Sequence, residues 1–231
     1  FRRFRPDYVV NLAAQAGVRY SLKKPRVYLK NNIEGFFNIL ELSKKYSVKH
    51  LVFASTSSVY GLNTKSPFKE NHTADHPIQF YAATKRSNEL MAHSYSHLYN
   101  FSATGLRFFT VYGPWGRPDM APMIFSKAIV SEEPIELFNK GCMKRDFTFI
   151  DDAVEAIVRC SNKLTYPDKE FDRYKPNPST SFSAHRIFNV GNNQAVNLSY
   201  FLELLEKMLG KKAIINKKEM QPGDVQETLC D

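Results

Sequence analysis

The stretch that decides the fold is His50-Leu-Val-Phe-Ala-Ser-Thr-Ser-Ser-Val-Tyr-Gly61. Its residues 51–54 form a short apolar run, which is typical of a buried strand in a parallel sheet. A cluster of hydroxyls at residues 55–58 follows directly. In open α/β sheets, ligands bind just beyond the carboxyl ends of the strands. The stretch therefore predicts an α/β fold with a ligand site at the hydroxyl cluster, and a serine-rich turn without a ligand is the alternative.

A second stretch, Gln79-Phe-Tyr-Ala-Ala-Thr-Lys85, begins an amphipathic run that predicts a helix. Tyr81 and Lys85 are four residues apart, so a helix places both side chains on one face. A phenol titrates near ~10, and a nearby ammonium favours its ionised form. Tyr81 is therefore a candidate acid/base. Taken alone, the spacing also fits a tyrosine at the rim of a helix beside a solvated lysine.

Together the hydroxyl cluster and the Tyr-x-x-x-Lys motif resemble the extended short-chain dehydrogenase/reductase family, and within it the nucleotide-sugar 4-epimerases. The resemblance runs over the whole chain and implies an α/β fold, a Rossmann-type doubly wound parallel sheet with a smaller α/β substrate-binding lobe. It implies NAD as the cofactor and Thr56, Tyr81 and Lys85 as the catalytic residues, with Lys85 also bonding the nicotinamide ribose. Thr56 is placed by its position four residues before Tyr60 in the Val-Tyr-Gly motif.

The same resemblance implies a division of the chain into two parts. Residues 1–110 would be the remainder of the NAD-binding Rossmann domain, and residues 111–231 mainly the UDP-sugar-binding lobe. Segments at about 146–162 and 186–191 would return to the Rossmann sheet. The family carries a glycine-rich turn after its first strand, and no such turn occurs in this sequence. We therefore expect an N-terminal segment on the order of 70 residues to be missing, about two βαβ units.

Further cofactor contacts follow from the resemblance. Leu12-Ala13-Ala14-Gln15 resembles the loop that passes over the adenosine side of the cofactor, where small residues permit close contact. A simple strand-to-helix turn is the alternative. Asn31 matches the family's helix asparagine near the cofactor and the hydroxyl loop.

The substrate contacts depend on a loop near the middle of the chain. The sequence Tyr112-Gly-Pro-Trp-Gly-Arg-Pro-Asp-Met120 is similar to that of the UDP-uronic acid 4-epimerases, which implies that Arg117 and Thr110 lie near the sugar carboxylate. Arginine suits this task because its planar fork bonds a carboxylate in two places. An arginine-containing strand, Arg145-Asp-Phe, also has its counterpart in the family and implies that Arg145 binds the UDP phosphates.

The residues at the two positions after Thr56 distinguish between the reactions that the family catalyses. Sugar-nucleotide dehydratases of the family need carboxylic side chains there to eliminate water, whereas this chain has Ser57 and Ser58. The resemblance thus implies NAD-dependent 4-epimerisation of UDP-glucuronate to UDP-galacturonate through a transient 4-keto intermediate. A uronic acid oxidised at this carbon is a β-keto acid that loses carbon dioxide readily. The site must therefore hold the sugar carboxylate out of alignment with the π system of the carbonyl at carbon 4. The candidates for this role are Arg117, Thr110, Ser57 and Ser58.

Two alternatives to this reaction stay open. One is epimerisation of UDP-glucose or another neutral UDP-hexose. The other is an inactive, truncated or non-catalytic binding protein, which the missing glycine turn favours and the intact Tyr81 and Lys85 oppose.

The composition limits the ligands, partners and locations that we expect for this chain. In 231 residues, 32 Lys and Arg against 23 Asp and Glu give a net charge of +9. These charges are spread along the chain, so we expect an anionic nucleotide ligand and no nucleic-acid partner. No apolar run approaches the roughly 20 residues that cross a bilayer, and we expect a cytoplasmic protein without a membrane partner. The three cysteines lack metal or redox spacings, which predicts free thiols and no metal site.

Helical patterns give the last expectations. Asp151 and Asp152 are predicted at the N-cap and in the first turn of a helix, where carboxylates are favourable, and not as an acid/base pair. A helix is predicted from an Asn197 cap to Leu209, ended by Gly210. Two long helices, around residues 31–45 and 81–99, would permit a homodimer of the kind that extended family members form.

Overall fold

The computed structural model describes residues 1–221 and 223–231. Its centre is a parallel sheet with helices on both faces, joined to a smaller lobe. The strands are β1 (Tyr8–Asn11), β2 (His50–Thr56), β3 (Ser102–Phe108), β4 (Thr110–Tyr112), β5 (Pro134–Leu137), β6 (Lys144–Phe149), β7 (His185–Val190), β8 (Ala195–Asn197) and β9 (Ile214–Lys217). The helices are α1 (Val18–Lys23), α2 (Pro25–Tyr28), α3 (Gly35–Lys45), α4 (Phe80–Tyr99), α5 (Ala121–Ser131), α6 (Ile150–Ser161) and α7 (Leu198–Leu209). A π-helical stretch, Leu29–Glu34, joins α2 to α3, and 3₁₀ turns lie at Ser57–Tyr60 and Phe138–Gly141.

The central sheet has the strand order β1-β2-β3-β7, and every pair in it is parallel. β2 and β3 are buried along almost their whole length, as the apolar run of β2 predicts for a sheet covered on both faces. Thr56 at the end of β2 pairs with Phe108 at the end of β3. The carboxyl ends of the two central strands therefore meet at one edge of the sheet, which confirms the predicted parallel α/β architecture.

Each face of this sheet has its own core. On one face α3 and α4 pack against the sheet through a cluster centred on Leu40, Phe53 and Ala92. On the other face α6 packs through Ala153 against Val52. Coverage of both faces by helices is the doubly wound arrangement that the sequence predicted.

The smaller lobe has a separate core. Its three-stranded sheet has the order β4-β6-β8, and β5 pairs with β9. A cluster that includes Phe125, Ile129, Ile135 and Leu202 joins these strands to α5 and α7. The predicted division at residues 110 and 111 stays a prediction. β7 and α6 do belong to the central sheet and its face, whereas β6 pairs only with strands of the lobe within the described residues.

Local signals for helix ends are borne out in α7. The Asn197 side chain accepts a hydrogen bond of 2.9 Å from the Ser199 N–H at the start of α7, and Gly210 ends that helix with a φ of +66°. Asp151 and Asp152 both lie in the first turn of α6, whose N-cap is Phe149. The prediction for α7 is thus confirmed, whereas the prediction of an aspartate N-cap for α6 is wrong because the helix begins at Ile150.

Two wider expectations concern the surface. No helix in the described part of the chain combines the length and the apolar character needed to cross a membrane. α3 and α4 pack side by side and leave apolar side chains such as Phe37 and Leu90 exposed. The predicted homodimer through these helices stays a prediction.

A buried ion pair fastens α4 to the sheet. Arg107 of β3 donates from Nε and Nη2 to the two carboxylate oxygens of Glu89, each at 2.9 Å. Both side chains are almost completely excluded from solvent. Ser55 of β2 donates to the same carboxylate at 2.6 Å. Arg86 Nη1 donates to it as well, at 2.8 Å, so the buried carboxylate is fully paired, whereas Arg107 Nη1 has no hydrogen-bond partner among the described residues.

Loss of Arg107 leaves the Glu89 carboxylate with only the partly exposed Arg86 as a cationic partner. We expect Arg107→Met to lower the free energy of unfolding by about 3–5 kcal/mol, because the Glu89 carboxylate loses its fully buried counter-charge and two hydrogen bonds. Urea denaturation measures this change. The matched control is Arg159→Met, which removes the exposed partner of Glu155 and should change stability little. Equal effects of the two substitutions would contradict a stabilising role for the buried pair.

Candidate active site

A cleft of about 460 Å³ opens at the carboxyl ends of β2 and β3. The three predicted catalytic residues, Thr56, Tyr81 and Lys85, all line it. They come from two elements, since Thr56 ends β2 and the other two lie on α4. The parallel register explains the meeting, because it brings the end of β2 to the beginning of the helix that packs on it.

The hydroxyl cluster takes a compact form at the end of β2. The Thr56 Oγ1 accepts a hydrogen bond of 3.2 Å from the Ser58 N–H, which caps the short 3₁₀ turn. Ser57 and Ser58 also line the cleft. Gly61 ends the turn with a φ of +52°, and a Cβ there would lie 1.9 Å from the His76 carbonyl oxygen. Glycine is therefore required at this position for the chain to turn back along the sheet.

Tyr81 lies in the first turn of α4 and faces the hydroxyl cluster. Burial raises the pKa of Tyr81 above the ordinary phenol value, although hydrogen bonding to Thr56 and the charge of Arg117 act in the opposite direction. The phenol is thus protonated at neutral pH. Desolvation outweighs the effect of the charges nearby on this pKa, and the acid/base role of Tyr81 stays a prediction.

The pKa of Lys85 is also shifted from its ordinary value. Its residue surface is 3% exposed, and burial lowers the pKa of its ammonium to about 8, with the charge of Glu89 opposing the shift. Among the described residues, its Nζ has no hydrogen-bond partner, and the residue lines the cleft. An ammonium held in this way is available to bond a ligand.

The predicted adenosine-side loop runs along one wall of the cleft. Leu12 and Ala14 line the cleft, whereas Ala13 and Gln15 do not. Gln15 instead anchors the loop, since its N–H donates to the Asn32 Oδ1 at 2.8 Å and its carbonyl accepts from the Asn32 Nδ2 at 3.0 Å. The loop is therefore held in place through its backbone by one asparagine.

That asparagine is Asn32 and not Asn31. Asn31 is exposed and lies outside the cleft lining, which does not support its predicted place beside the cofactor and the hydroxyl loop. Asn32 is buried, and its Nδ2 also donates to the Thr84 Oγ1 at 3.0 Å. Asn32 thus connects the loop to α4 at Thr84, one turn after Tyr81.

The error of one residue has a physical cause. Residues 29–34 form a π-helical stretch, whose wider turn changes which side chains face inward. Tyr28, Asn32, Phe36 and Leu40 are all buried at intervals of four. A strict search for this apolar spacing on both sides of the asparagine pair would have selected Asn32.

Tyr28 is a second residue that the sequence analysis missed. Its hydroxyl donates to the Gly17 carbonyl oxygen at 2.5 Å, and its ring lies edge-on to Tyr81 with the centroids 6.0 Å apart. Tyr28 therefore packs between the loop and the catalytic phenol. Its spacing of four from Asn32 is the signal that would have found it.

The predicted carboxylate-binding residues reach the same cleft. Thr110 begins β4, and Arg117 lies on the following loop, with both residues in the lining. Arg117 makes a two-point ion pair with Asp119, with Nε to Oδ1 at 3.0 Å and Nη2 to Oδ2 at 2.5 Å. Its charge acts on Tyr81, so a cation stands close to the catalytic phenol.

Arg145 is the one predicted substrate residue on β6, and it lies outside this lining. Its Nη1 donates to the carbonyl oxygens of Lys144 at 2.8 Å and Gln226 at 3.2 Å. Asp224 and Arg19 are its charged neighbours. Pro222, part of the turn at residues 221–224 that the family resemblance assigned to the UDP side, lies outside the described residues.

Comparison with known proteins agrees with this geometry. A model of the NAD dependent epimerase/dehydratase family matches residues 1–172. Protein CapI of Staphylococcus aureus is 56% identical over 227 residues, which cover 98% of this chain and 68% of CapI. A probable UDP-glucuronate 4-epimerase of Rhizobium meliloti is 52% identical over 229 residues, 97% of this chain and 66% of that protein. The chain thus spans about two thirds of the length of these relatives.

Solved structures confirm the Rossmann-type fold. The UDP-glucuronic acid 4-epimerase from Bacillus cereus, in complex with UDP-glucuronic acid and NAD, superimposes with a TM-score of 0.82 at 32% identity. That match covers 96% of this chain and 66% of the other. The cofactor of the family is NAD, as its description states. The sheet, the cleft and the matched sequence lead to one conclusion: this chain belongs to the NAD dependent epimerase/dehydratase family.

Proposed function

We propose that this protein is an NAD-dependent 4-epimerase that interconverts UDP-glucuronate and UDP-galacturonate. The observation that carries the proposal is the convergence of Thr56, Tyr81, Lys85 and Arg117 on one cleft. The first three are groups for proton transfer at a sugar hydroxyl, and Arg117 is a partner for a carboxylate. Relatives named as UDP-glucuronate 4-epimerases support the same substrate class.

The residues of the cleft fit the nicotinamide end of NAD. The Lys85 ammonium is buried and has no hydrogen-bond partner among the described residues, as a group that bonds a ribose hydroxyl requires. Leu12 and Ala14 form an uncharged stretch of the cleft wall, which suits the adenosine side of the cofactor. A bound NAD would supply reversible hydride transfer at carbon 4 of the sugar.

Proton transfer belongs to α4 and the end of β2. Tyr81 takes the proton of the sugar 4-hydroxyl and later returns it, while the Thr56 hydroxyl shares the hydrogen bond. Tyr81 must be a phenolate to accept this proton, and the Lys85 ammonium stabilises that form. Because Ser57 and Ser58 offer no carboxylic acid or base, the sugar keeps its neighbouring hydroxyl groups instead of losing water.

The remaining polar groups of the cleft suit a uronic acid. Arg117 and Thr110 would grip the carboxylate from one side, and Ser57 and Ser58 would donate hydrogen bonds from the other. A carboxylate held in this way cannot align with the π system of the carbonyl at carbon 4. The oxidised sugar is therefore not decarboxylated. Arg145, beside Arg19, is the proposed contact for the diphosphate.

The tyrosine provides the most direct test. We expect Tyr81→Phe to lower kcat by about 10²–10⁴-fold, because the proton acceptor is removed while the ring remains. The matched control is Tyr95→Phe on the same helix, whose hydroxyl bonds Glu41 at 2.5 Å outside the cleft. Steady-state kinetics and circular dichroism separate chemistry from folding. Equal activity in the two variants would remove Tyr81 from the reaction.

The two pKa shifts predict a pH profile. Tyr81 acts as a base only after the Tyr81–Lys85 pair has lost one proton. Because burial lowers the pKa of Lys85 to about 8 and raises that of Tyr81, the first proton leaves near pH 8. We expect kcat/KM to rise about tenfold per pH unit below this value and then to level off.

The substitution Lys85→Met removes the ammonium, so that the proton loss near pH 8 no longer occurs. The rise in kcat/KM should then continue towards the pKa of the remaining phenol, above about 10. Both profiles are measured with UDP-glucuronate under otherwise equal conditions. Superimposable profiles for the two proteins would show that Lys85 does not set the proton balance of the pair.

A substitution of Arg117 tests whether the substrate is a uronic acid. We expect Arg117→Ala to lower kcat/KM for UDP-glucuronate by about 10–100-fold, because hydrogen bonds between charged groups are lost, and to leave any activity on UDP-glucose unchanged. Mass spectrometry should also detect product that has lost carbon dioxide. Arg159→Ala, an exposed arginine of α6, is the control. An unchanged preference for the uronate in Arg117→Ala would exclude Arg117 as the carboxylate partner.

A further inference from the structure

The guanidinium of Arg117 has two edges that can each bond a carboxylate in two places. One edge consists of Nε and Nη2, and the other consists of Nη1 and Nη2. Asp119 occupies the first edge at 3.0 and 2.5 Å. Nη1 makes no hydrogen bond to any residue that the structure describes. The pair therefore leaves one complete edge of the guanidinium available.

We propose that Asp119 is a positioning residue for substrate selection. It holds Arg117 by the Nε edge so that the Nη edge receives the carboxylate of the sugar. The inference rests on the proposed uronate function and deepens it, because it explains how a partly exposed arginine keeps one orientation. Arg117 lines the cleft and Asp119 does not, so the two carboxylates do not compete for the same space.

The surroundings of the pair support this role. The side chains of Arg117 and Asp119 are 42% and 61% exposed, so packing alone does not fix the long arginine side chain. Gly17 lies beneath them, with its missing Cβ position 3.3 Å from the Arg117 Nη2 and 3.6 Å from the Asp119 Oδ2. With a φ of +104°, Gly17 also has a backbone conformation that other residues rarely adopt. The guanidinium is therefore held between Gly17 below and Asp119 at its side.

The charge of Asp119 has a second consequence. Arg117 holds the pKa of the Asp119 carboxyl below its usual range, so Asp119 is ionised at neutral pH and offsets much of the arginine charge. An incoming anion then gains little from charge alone. It gains most when both of its oxygens meet the free edge, which makes recognition depend on the geometry of a carboxylate.

Trp115 allows binding to be measured without turnover. It is the single tryptophan of the chain, lies fully exposed on the same loop and lines the cleft. Its fluorescence should respond to UDP-glucuronate and to UDP-glucose, each titrated in the presence of NAD. The variants are Asp119→Asn, which keeps the size of the side chain, and Arg117→Ala. Glu155→Gln is the matched control, because Glu155 is the carboxylate partner of the exposed Arg159 at 2.7 Å.

The expected result is selective for the charged sugar. Asp119→Asn should raise the Kd for UDP-glucuronate about tenfold, a loss of the size expected for one charged hydrogen bond. The Kd for UDP-glucose should stay unchanged, as should both values in Glu155→Gln. KM for UDP-glucuronate should rise with Kd, whereas kcat should change less. In Arg117→Ala, the further change Asp119→Asn should have no effect, because the group that it orients is gone.

Different results overturn different statements. Unchanged or tighter binding of UDP-glucuronate by Asp119→Asn, or equal weakening of both nucleotide sugars, would refute the positioning role of Asp119. The proposed function would survive those results if Arg117→Ala still lost its preference for the uronate. Equal binding of both nucleotide sugars by the unaltered protein, or binding of neither, would overturn the proposed function itself.

Discussion

The ion pair between Glu89 and Arg107 is the interaction on which the cleft depends. It connects α4, which carries Tyr81 and Lys85, to β3 in the middle of the sheet. Ser55 joins β2 to the same carboxylate. The Arg107 guanidinium also lies 4.8 Å from the centre of the Tyr60 ring. Because the two charges are buried and joined by two hydrogen bonds, small movements of the helix would cost hydrogen bonds that water does not replace.

This pair also influences the chemistry of the cleft. Glu89 lies one turn beyond Lys85 on α4, and its charge opposes the effect of burial on the lysine pKa. Asn32 provides a second attachment, from the loop after β1 to Thr84 on the same helix. The catalytic helix is therefore held at two points by groups that do not themselves take part in proton transfer. Precise placement of this kind is what proton transfer over short distances requires.

The two ends of the cleft differ in character. Around Lys85 the groups are buried and their pKa values are shifted, which favours a reaction that depends on the protonation of one pair. Around Arg117 the groups are exposed and paired with each other, which favours recognition of a substituent that arrives from solvent. A sugar whose reacting hydroxyl enters the first region would place an adjacent substituent in the second. The family's NAD chemistry and the proposed choice of a uronic acid thus rely on separate parts of the same cavity.

The sequence by itself determined the parallel α/β architecture and the common helix face of Tyr81 and Lys85. These follow from local patterns, since an apolar run that ends in hydroxyls predicts where a buried strand stops, and a spacing of four selects one helix face. The meeting of these two residues with Thr56 was implied by the family resemblance. The inward position of Asn32 could also be inferred from the sequence, because it continues the interval of four set by Tyr28, Phe36 and Leu40. Tertiary structure alone decided which groups Asn32 bonds, namely Gln15 and Thr84. It also decided the pKa of Lys85 and the pairing of Arg117 with Asp119. Those properties depend on burial and on distances between residues from different elements or within an irregular loop, which no periodic pattern in the sequence encodes.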